Sequence, residues 1–253
     1  DKCYALSKVT VCGAECLLVA AEKHAPCYRY DLDGNLLDTV WEEPGGVMTM
    51  VPVPGKDGVF MATHQFYSPN DSKQAMLVKA EYSPDGWKVT KLCDLPFVHR
   101  FDILERDGVD YIIACALKSG HEYKDDWRFP GAIFAAPLPD PLEHLHLESI
   151  QEGLPRNHGY PRCQWNGIDC ALISCQSGVY VFAPPGGGSK HWNVEQLIDQ
   201  PASDAVLLDL DEDGNQELFV LSPFHGDQIS IYHQTAGGYE KVYQHPEKLP
   251  FLH

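Results

Sequence analysis

The chain has 253 residues, 44% apolar and 22% charged. It is long enough to bury a core and too apolar for a disordered protein, and no apolar run reaches the roughly 20 residues that cross a bilayer as a helix. A formal charge of −17 repels phosphate backbones and anionic lipid, which excludes nucleic acid and membrane surfaces as partners held mainly by charge.

Helical periodicity is missing from end to end, and short runs of Val, Ile, Tyr, Phe and Thr alternate with Gly, Pro, Asn and Asp, so an all-β fold is expected. In chain order the runs stack into units of roughly 45 to 60 residues. The first begins near Val9, with an apolar second strand Leu17 to Ala21, then Lys23 and His24, then the Asp33-Gly34-Asn35 turn. The second begins near Gly46, with Asp57-Gly58, the run Val59 to Ala62, then His64, Phe66 and Tyr67, and Pro84-Asp85-Gly86. The third begins near Phe97, with His99, Arg100, Asp107-Gly108 and the run Tyr111 to Leu117. A long connection from Lys118 to Pro130 follows, containing His121, Tyr123, Trp127 and Arg128. The fourth begins near Gly159, flanked by Arg156, His158, Tyr160 and Arg162, with Asn166-Gly167, the run Ala171 to Ile173, and Gln176 and Ser177 where the others carry histidine. The fifth begins near Ala205, with an aspartate-rich turn, the run Leu218 to Leu221, His225 and Gly237-Gly238.

The second strand of each unit is continuously apolar, as a strand covered on both faces must be. In an antiparallel protein neighbouring sheets supply that cover, which predicts one β-propeller domain over residues 1–253 with five four-stranded blades. A two-sheet sandwich would alternate more cleanly and show no such register. Leu95-Pro96-Phe97-Val98-His99 opens the third blade and returns as Leu249-Pro250-Phe251-Leu252-His253. Either this second copy closes the ring against the first blade, or the natural chain is longer and more blades follow.

The segment from Ala205 to Leu221, with Asp209-Leu-Asp211-Glu-Asp213-Gly214-Asn215 at its centre, resembles an FG-GAP or VCBS-type propeller repeat, in which an aspartate-rich loop joins the first two strands of a blade. Propellers of this kind include sugar lyases, among them a rhamnosyl-glucuronate-acting group and aldos-2-ulose dehydratases, so the resemblance implies a carbohydrate-active propeller. Read from the residues alone, Asp209, Asp211, Asp213 and Glu217 stand at positions 1, 3, 5 and 9 around Gly214 and offer hard oxygens to a structural calcium ion. A solvated acidic turn is the alternative.

In a propeller the B-to-C and D-to-A connections share one face at the mouth of the central channel. His24, His64, His121 and His225 fall in the former, and His99, His158 and His253 at or beside the latter, seven of twelve histidines. Arg100, Arg128, Arg156 and Arg162, four of six arginines, map to the same face with Lys23, Lys118 and Lys124. Gathered cations in an acidic chain point to a small anionic ligand, most simply the carboxylate of an acidic carbohydrate. The reading is a lyase or dehydratase-type elimination on a uronic-acid-containing or oxidised sugar. Arg100 and Arg162 would hold the carboxylate, His64, His99 or His158 would act as base, and Tyr160 or His121 as acid. Lys118, Trp127, His24 and His225 would complete the substrate surface. A variant has several histidines bind a divalent transition metal at the channel mouth. A glycan- or protein-binding propeller without chemistry is the alternative, and a glycoside hydrolase using Glu122, Asp125 or Asp126 a second. Motifs for phosphate cradles, dinucleotides, nucleophile elbows and H-E-x-x-H zinc sites are missing. Nine cysteines lack C-x-x-C or zinc-ribbon spacing, and several sit in apolar runs, as thiols do in a reducing compartment. The expected location is cytoplasmic, with secretion after leader removal the alternative because no initiator Met is present.

Overall fold

The structure, a computed structural model, describes residues 2–252. Twenty strands form five antiparallel sheets of four, each built from consecutive strands. Blade one holds β1 (Cys3–Val11), β2 (Ala14–Ala21), β3 (Cys27–Tyr30) and β4 (Leu36–Trp41). Blade two holds β5 (Met50–Pro52), β6 (Val59–His64), β7 (Met76–Ser83) and β8 (Gly86–Asp94). Blade three holds β9 (Val98–Arg106), β10 (Val109–Lys118), β11 (Pro130–Pro137) and β12 (Glu148–Leu154). Blade four holds β13 (Arg162–Trp165), β14 (Ile168–Cys175), β15 (Gly178–Ala183) and β16 (Asn193–Ile198). Blade five holds β17 (Asp204–Leu208), β18 (Glu217–Ser222), β19 (Gln228–Thr235) and β20 (Gly238–Gln244). This is the five-bladed β-propeller expected from the sequence.

Turn chemistry sets the hairpins. Asp107-Gly108 and Asn166-Gly167 both adopt positive φ at each residue, the twist that suits a two-residue hairpin between right-twisted strands. Cys12-Gly13 does the same between β1 and β2, although cysteine gives no turn signal. The first strand therefore starts at Cys3, six residues before the Val9 taken from the sequence.

Successive blades pack face to face through four apolar clusters. Leu18 and Ala20 of blade one meet Phe60 and Ala62 of blade two, and Met61 and Leu77 meet Phe101 and Ile112 of blade three. Ile113 and Cys115 meet Ile173 and Phe182 of blade four, and Leu172 and Val181 meet Leu218 and Val220 of blade five. The second strand of blade three is buried on both sides, from Ile112 to Leu117, as its unbroken apolar run requires. In the two flanking blades the expectation fails in part. Leu17 and Val19 on β2, and Phe219 and Leu221 on β18, are only half-buried, because among the described residues no apolar cluster fills the seam between blades five and one.

The crossover from blade one to blade two fixes the channel mouth. Gly46 donates its N–H to the Lys23 carbonyl, and the Gly45 and Gly46 carbonyls accept from Gln65 and Phe66. The backbone is so close here that a Cβ at Gly45 would lie 1.3 Å from the Lys23 oxygen. Gly45→Ala is therefore expected to lower stability by about 1–3 kcal/mol or more, because the crossover must move bodily. Urea unfolding of the variant beside Gly55→Ala, which meets nothing within 4 Å though its φ is positive, checks this.

Candidate functional site

The B-to-C and D-to-A connections enclose a cavity of about 320 Å³ whose wall includes Tyr4, Met48, Phe66, His99, His158, Phe224 and His225. His99 is the second residue of β9, and its carbonyl accepts the Thr49 hydroxyl at 3.1 Å. Its ring lies between Phe66, centroids 5.0 Å apart, and His158, stacked at 4.7 Å. His158 sits in the segment leading into β13. Its N–H donates to Ser174, and Gly159 beside it runs so close to Ser203 and Asp204 that a Cβ would meet them within 2.7 Å. Asn157 anchors the same segment through Nδ2 to the Ala116 carbonyl at 2.8 Å. His225 takes a left-handed φ of 46°, donates its N–H to Ser203 Oγ at 3.2 Å and stacks on Phe224 at 4.1 Å. Its Nε2 faces His158 Nε2 at 3.4 Å. Three imidazoles from separate blades thus form a row along one cavity. His253, grouped with them from the sequence, lies outside the described residues.

The other candidates stand elsewhere. His64 ends β6 and is 3% exposed, edge-on to Trp41 at 4.6 Å. Burial pulls its pKa down to about 4, and neither its Nε2 nor Trp41 Nε1 has a hydrogen-bond partner among the described residues. The Tyr160 hydroxyl is likewise buried without a hydrogen-bond partner among them. Burial raises its pKa well above the phenol range, and the ring packs on the cluster between blades three and four. His121 turns its ring to Phe97, 6.0 Å away. His24 stacks on Tyr67 at 4.5 Å, at the rim.

Two of the four arginines of the predicted positive patch, Arg162 and Arg128, are ion-paired within the protein, while Arg100, Arg156 and Lys118 are held by neutral groups. Arg162 donates to both oxygens of Asp102, at 3.0 and 2.7 Å. Arg128 pairs with Asp126 and Glu122, and hydrogen bonds from Arg128 hold the Asp126 carboxyl well below the usual carboxylate range. Arg100 donates to the Met48 carbonyl at 2.9 Å and the Tyr4 hydroxyl at 3.3 Å. Lys118 is fully buried, with Nζ bonded to Asn70 Oδ1 and the Asp126 carbonyl and 4.6 Å from the Trp127 ring centre. The long connection therefore packs down around Trp127, which also meets Phe224 at 5.3 Å and carries the Arg156 guanidinium at 5.1 Å.

Tyr4 and Phe224 complete the neighbourhood and were not singled out in the sequence, whereas Arg156 was placed in the positive patch. Phe224 adjoins His225 in the same connection, so carrying the aromatic assignment on to the fifth blade would have found it. Tyr4 was lost with the late start given to the first strand.

On the opposite face the aspartate-rich turn splits its four candidate ligands. Oxygens of Asp209, Asp211 and Asp213 lie within 4.8 Å of one another, while Glu217 groups with Asp211 and His233. Glu217 is buried, accepting the Leu210 N–H at 2.8 Å and meeting His233 Nδ1 at 3.0 Å. Asp209 accepts the Asp213 and Gly214 N–H groups. All nine cysteines are free, and burial pushes Cys170 up to about 11 and Cys163 to about 12, against a nucleophilic role.

No protein-family model and no curated protein matches the sequence. Among solved structures, the soluble aldose sugar dehydrogenase of Escherichia coli is similar with a TM-score of 0.53 and 12% identity, covering 96% of this chain and 86% of that one. The Swd1 β-propeller domain of Myceliophteria thermophila gives 0.60 and 14%, covering 99% and 75%. A chain of a nidogen/laminin complex gives 0.55 and 11%, covering 96% and 80%. Likeness at this identity shows the propeller fold.

The environment of His64 makes it a stability determinant. Its folded pKa of about 4 lies below the ordinary 6.5, so its contribution is complete above pH 6.5 and is lost as pH falls toward 4. The loss amounts to on the order of 3 kcal/mol. Urea unfolding at pH 7 and pH 4.5 should show this fall in the parent chain and a flatter dependence in His64→Gln.

Proposed function

We propose that the protein is a carbohydrate-active enzyme performing elimination on a uronic-acid-containing or oxidised sugar, with His99, His158 and His225 as its working groups. The observation that carries this reading is the row of three imidazoles on one cavity, with two Nε2 atoms 3.4 Å apart. Imidazole titrates near neutrality, so one ring of such a pair can take a proton while its neighbour gives one. In the proposed reaction His158 removes the proton beside the carboxylate, a carbon–carbon double bond forms, and the departing oxygen takes its proton from His225. His99, stacked on His158, sets the ring's orientation. Lys2 and Lys23 border the cavity and would neutralise the carboxylate, duties that the sequence had given to Arg100 and Arg162. Phe66, Tyr67 and Phe224 offer flat apolar surface for a sugar ring.

The transition-metal variant has less support. Among the described residues, the sets of three or more metal-capable side chains with ligand atoms within 4.8 Å all lie at the aspartate-rich turn. A binding propeller without chemistry would use the same aromatic wall, and the His24–Tyr67 stack at the rim favours it. The FG-GAP or VCBS likeness, with its link to lyases, remains part of this proposal and rests on the Ala205 to Leu221 segment.

Incubation with uronate oligosaccharides should raise absorbance near about 235 nm as an unsaturated product forms. His158→Gln and His225→Gln should each lower kcat by about 10²–10⁴-fold with the thermal midpoint nearly unchanged. Tight binding of those sugars without product would instead select the binding propeller.

Calcium at Asp209, Asp211 and Asp213, with Glu217 bracing the turn through Leu210 and His233, is the second part of the proposal. Hard oxygens on a β-hairpin suit that ion. Millimolar calcium is expected to raise the thermal midpoint of the parent chain and to leave Asp209→Asn/Asp213→Asn unchanged.

A further inference from the structure

Among the described residues every blade interface in the ring is filled except one, and the two faces that border it carry apolar rows. On blade five, Val206, Phe219, Ile231 and Tyr243 stand opposite one another across all four strands. This row crosses the sheet on the side away from blade four, and Val206 and Tyr243 remain 39% and 44% exposed. On blade one, Leu6, Val19 and Tyr28 form the matching row, with Leu6 65% exposed. Strand packs on strand between consecutive blades: β1 on β5, β5 on β9, β9 on β14 and β14 on β17. Blades five and one share no comparable packing among the described residues. A sheet that is apolar on both sides but covered on one leaves a large apolar patch in water, which marks an interaction surface.

The lead-out from blade five says what fits there. Leu95 donates its N–H to Ala75, the residue before β7, as Phe97 turns the chain into the inner strand of blade three with a left-handed φ of 63°. Leu249 donates to Asp227, the residue before β19, and Phe251 takes φ 56°. The same Leu-Pro-Phe device therefore hands the chain out of blade five as out of blade two, toward an inner strand lying between blades five and one. Non-glycine residues adopt this conformation uncommonly, and here the same residue type does so at the same place in the same motif. Phe97 is 2% exposed under the blade it introduces, whereas Phe251 is 67% exposed.

We propose that the seam receives a sixth four-stranded blade, apolar on both faces, supplied in cis by polypeptide running on from Leu252. The insertion would cover the rows through Phe219 and Val19 and complete the ring. It does not rest on the catalytic reading, since the apolar rows of the seam carry none of the proposed working groups, although Phe251 packs on His225 with ring centres 4.9 Å apart.

The test compares the 253-residue chain with the product of the same reading frame extended past His253. The shorter chain is expected to be monomeric, to bind bis-ANS, and to accept Leu6→Lys, Val206→Lys and Tyr243→Lys together with an unchanged thermal midpoint. The extended chain is expected to lose most of that fluorescence and to melt about 4 °C or more higher, a gain that the three lysines abolish. A stop codon directly after His253, or an extension that changes neither signal, overturns the proposal. A large drop in the midpoint of the lysine variant of the shorter chain also overturns it, since five blades would then close alone. A dimer of the shorter chain that the lysines dissociate overturns it in favour of a second copy.

Discussion

A four-stranded antiparallel sheet with apolar side chains on both faces is unstable alone in water, and this molecule is organised around that fact. Each buried Leu, Ile or Phe contributes roughly 1.5–3 kcal/mol only when its face is covered. Radial stacking gives blades two, three and four a neighbour on each side while keeping the chain path simple: four strands outward, then a short return to the axis. The returns bring distant residues together. His99, His158 and His225 are far apart in the chain, yet His99 opens β9, His158 leads into β13 and His225 follows β18, all at the channel mouth.

The same logic explains what could be read beforehand. The five second-strand runs were legible because two-sided burial removes the polar half of the usual alternation, and the Asp-Gly and Asn-Gly turns supplied the register. The histidine row was legible because strand polarity fixes which connections share a face. His64 and Tyr160 were misjudged because a connection's face says nothing about side-chain direction. His64 is still in β6, and its ring turns inward beneath Trp41. Tyr160 turns into the packing between blades three and four. Their residue types fit the chemistry; only the direction of Cα–Cβ decides, and a sequence does not carry it.

Charge was the least legible property. Four of the six arginines in an acidic chain looked like a ligand patch when mapped to one face, but pairing is decided by atoms from other blades. Asp102 on β9 meets Arg162 on β13, a partnership across 60 residues that no spacing rule anticipates. Asp126 and Arg128 are close in sequence and lock the long connection internally. What survives of the patch is Arg100 and Arg156, held by neutral groups, with Lys2 and Lys23 bordering the cavity, a weaker field than four unpaired arginines would make.

The cavity and the bare seam belong to the same region of the ring. Tyr4 of blade one and Phe224 and His225 of blade five share the cavity wall, so the imidazole row depends on how firmly the first and last blades are held. Blade five is tied to its inner neighbour by Leu218 and Val220 and to the mouth by Ser203, whose N–H reaches Leu221 and whose hydroxyl receives His225. Among the described residues nothing comparable braces its other face. A covered seam would limit rocking of blade five, and with it variation in the His158–His225 separation on which the proposed division of base and acid rests. The cover of the seam and the precision of the site are in this sense one structural question, because side chains meant to work on one ligand must be held within about half an ångström of their productive places by the sheets that carry them.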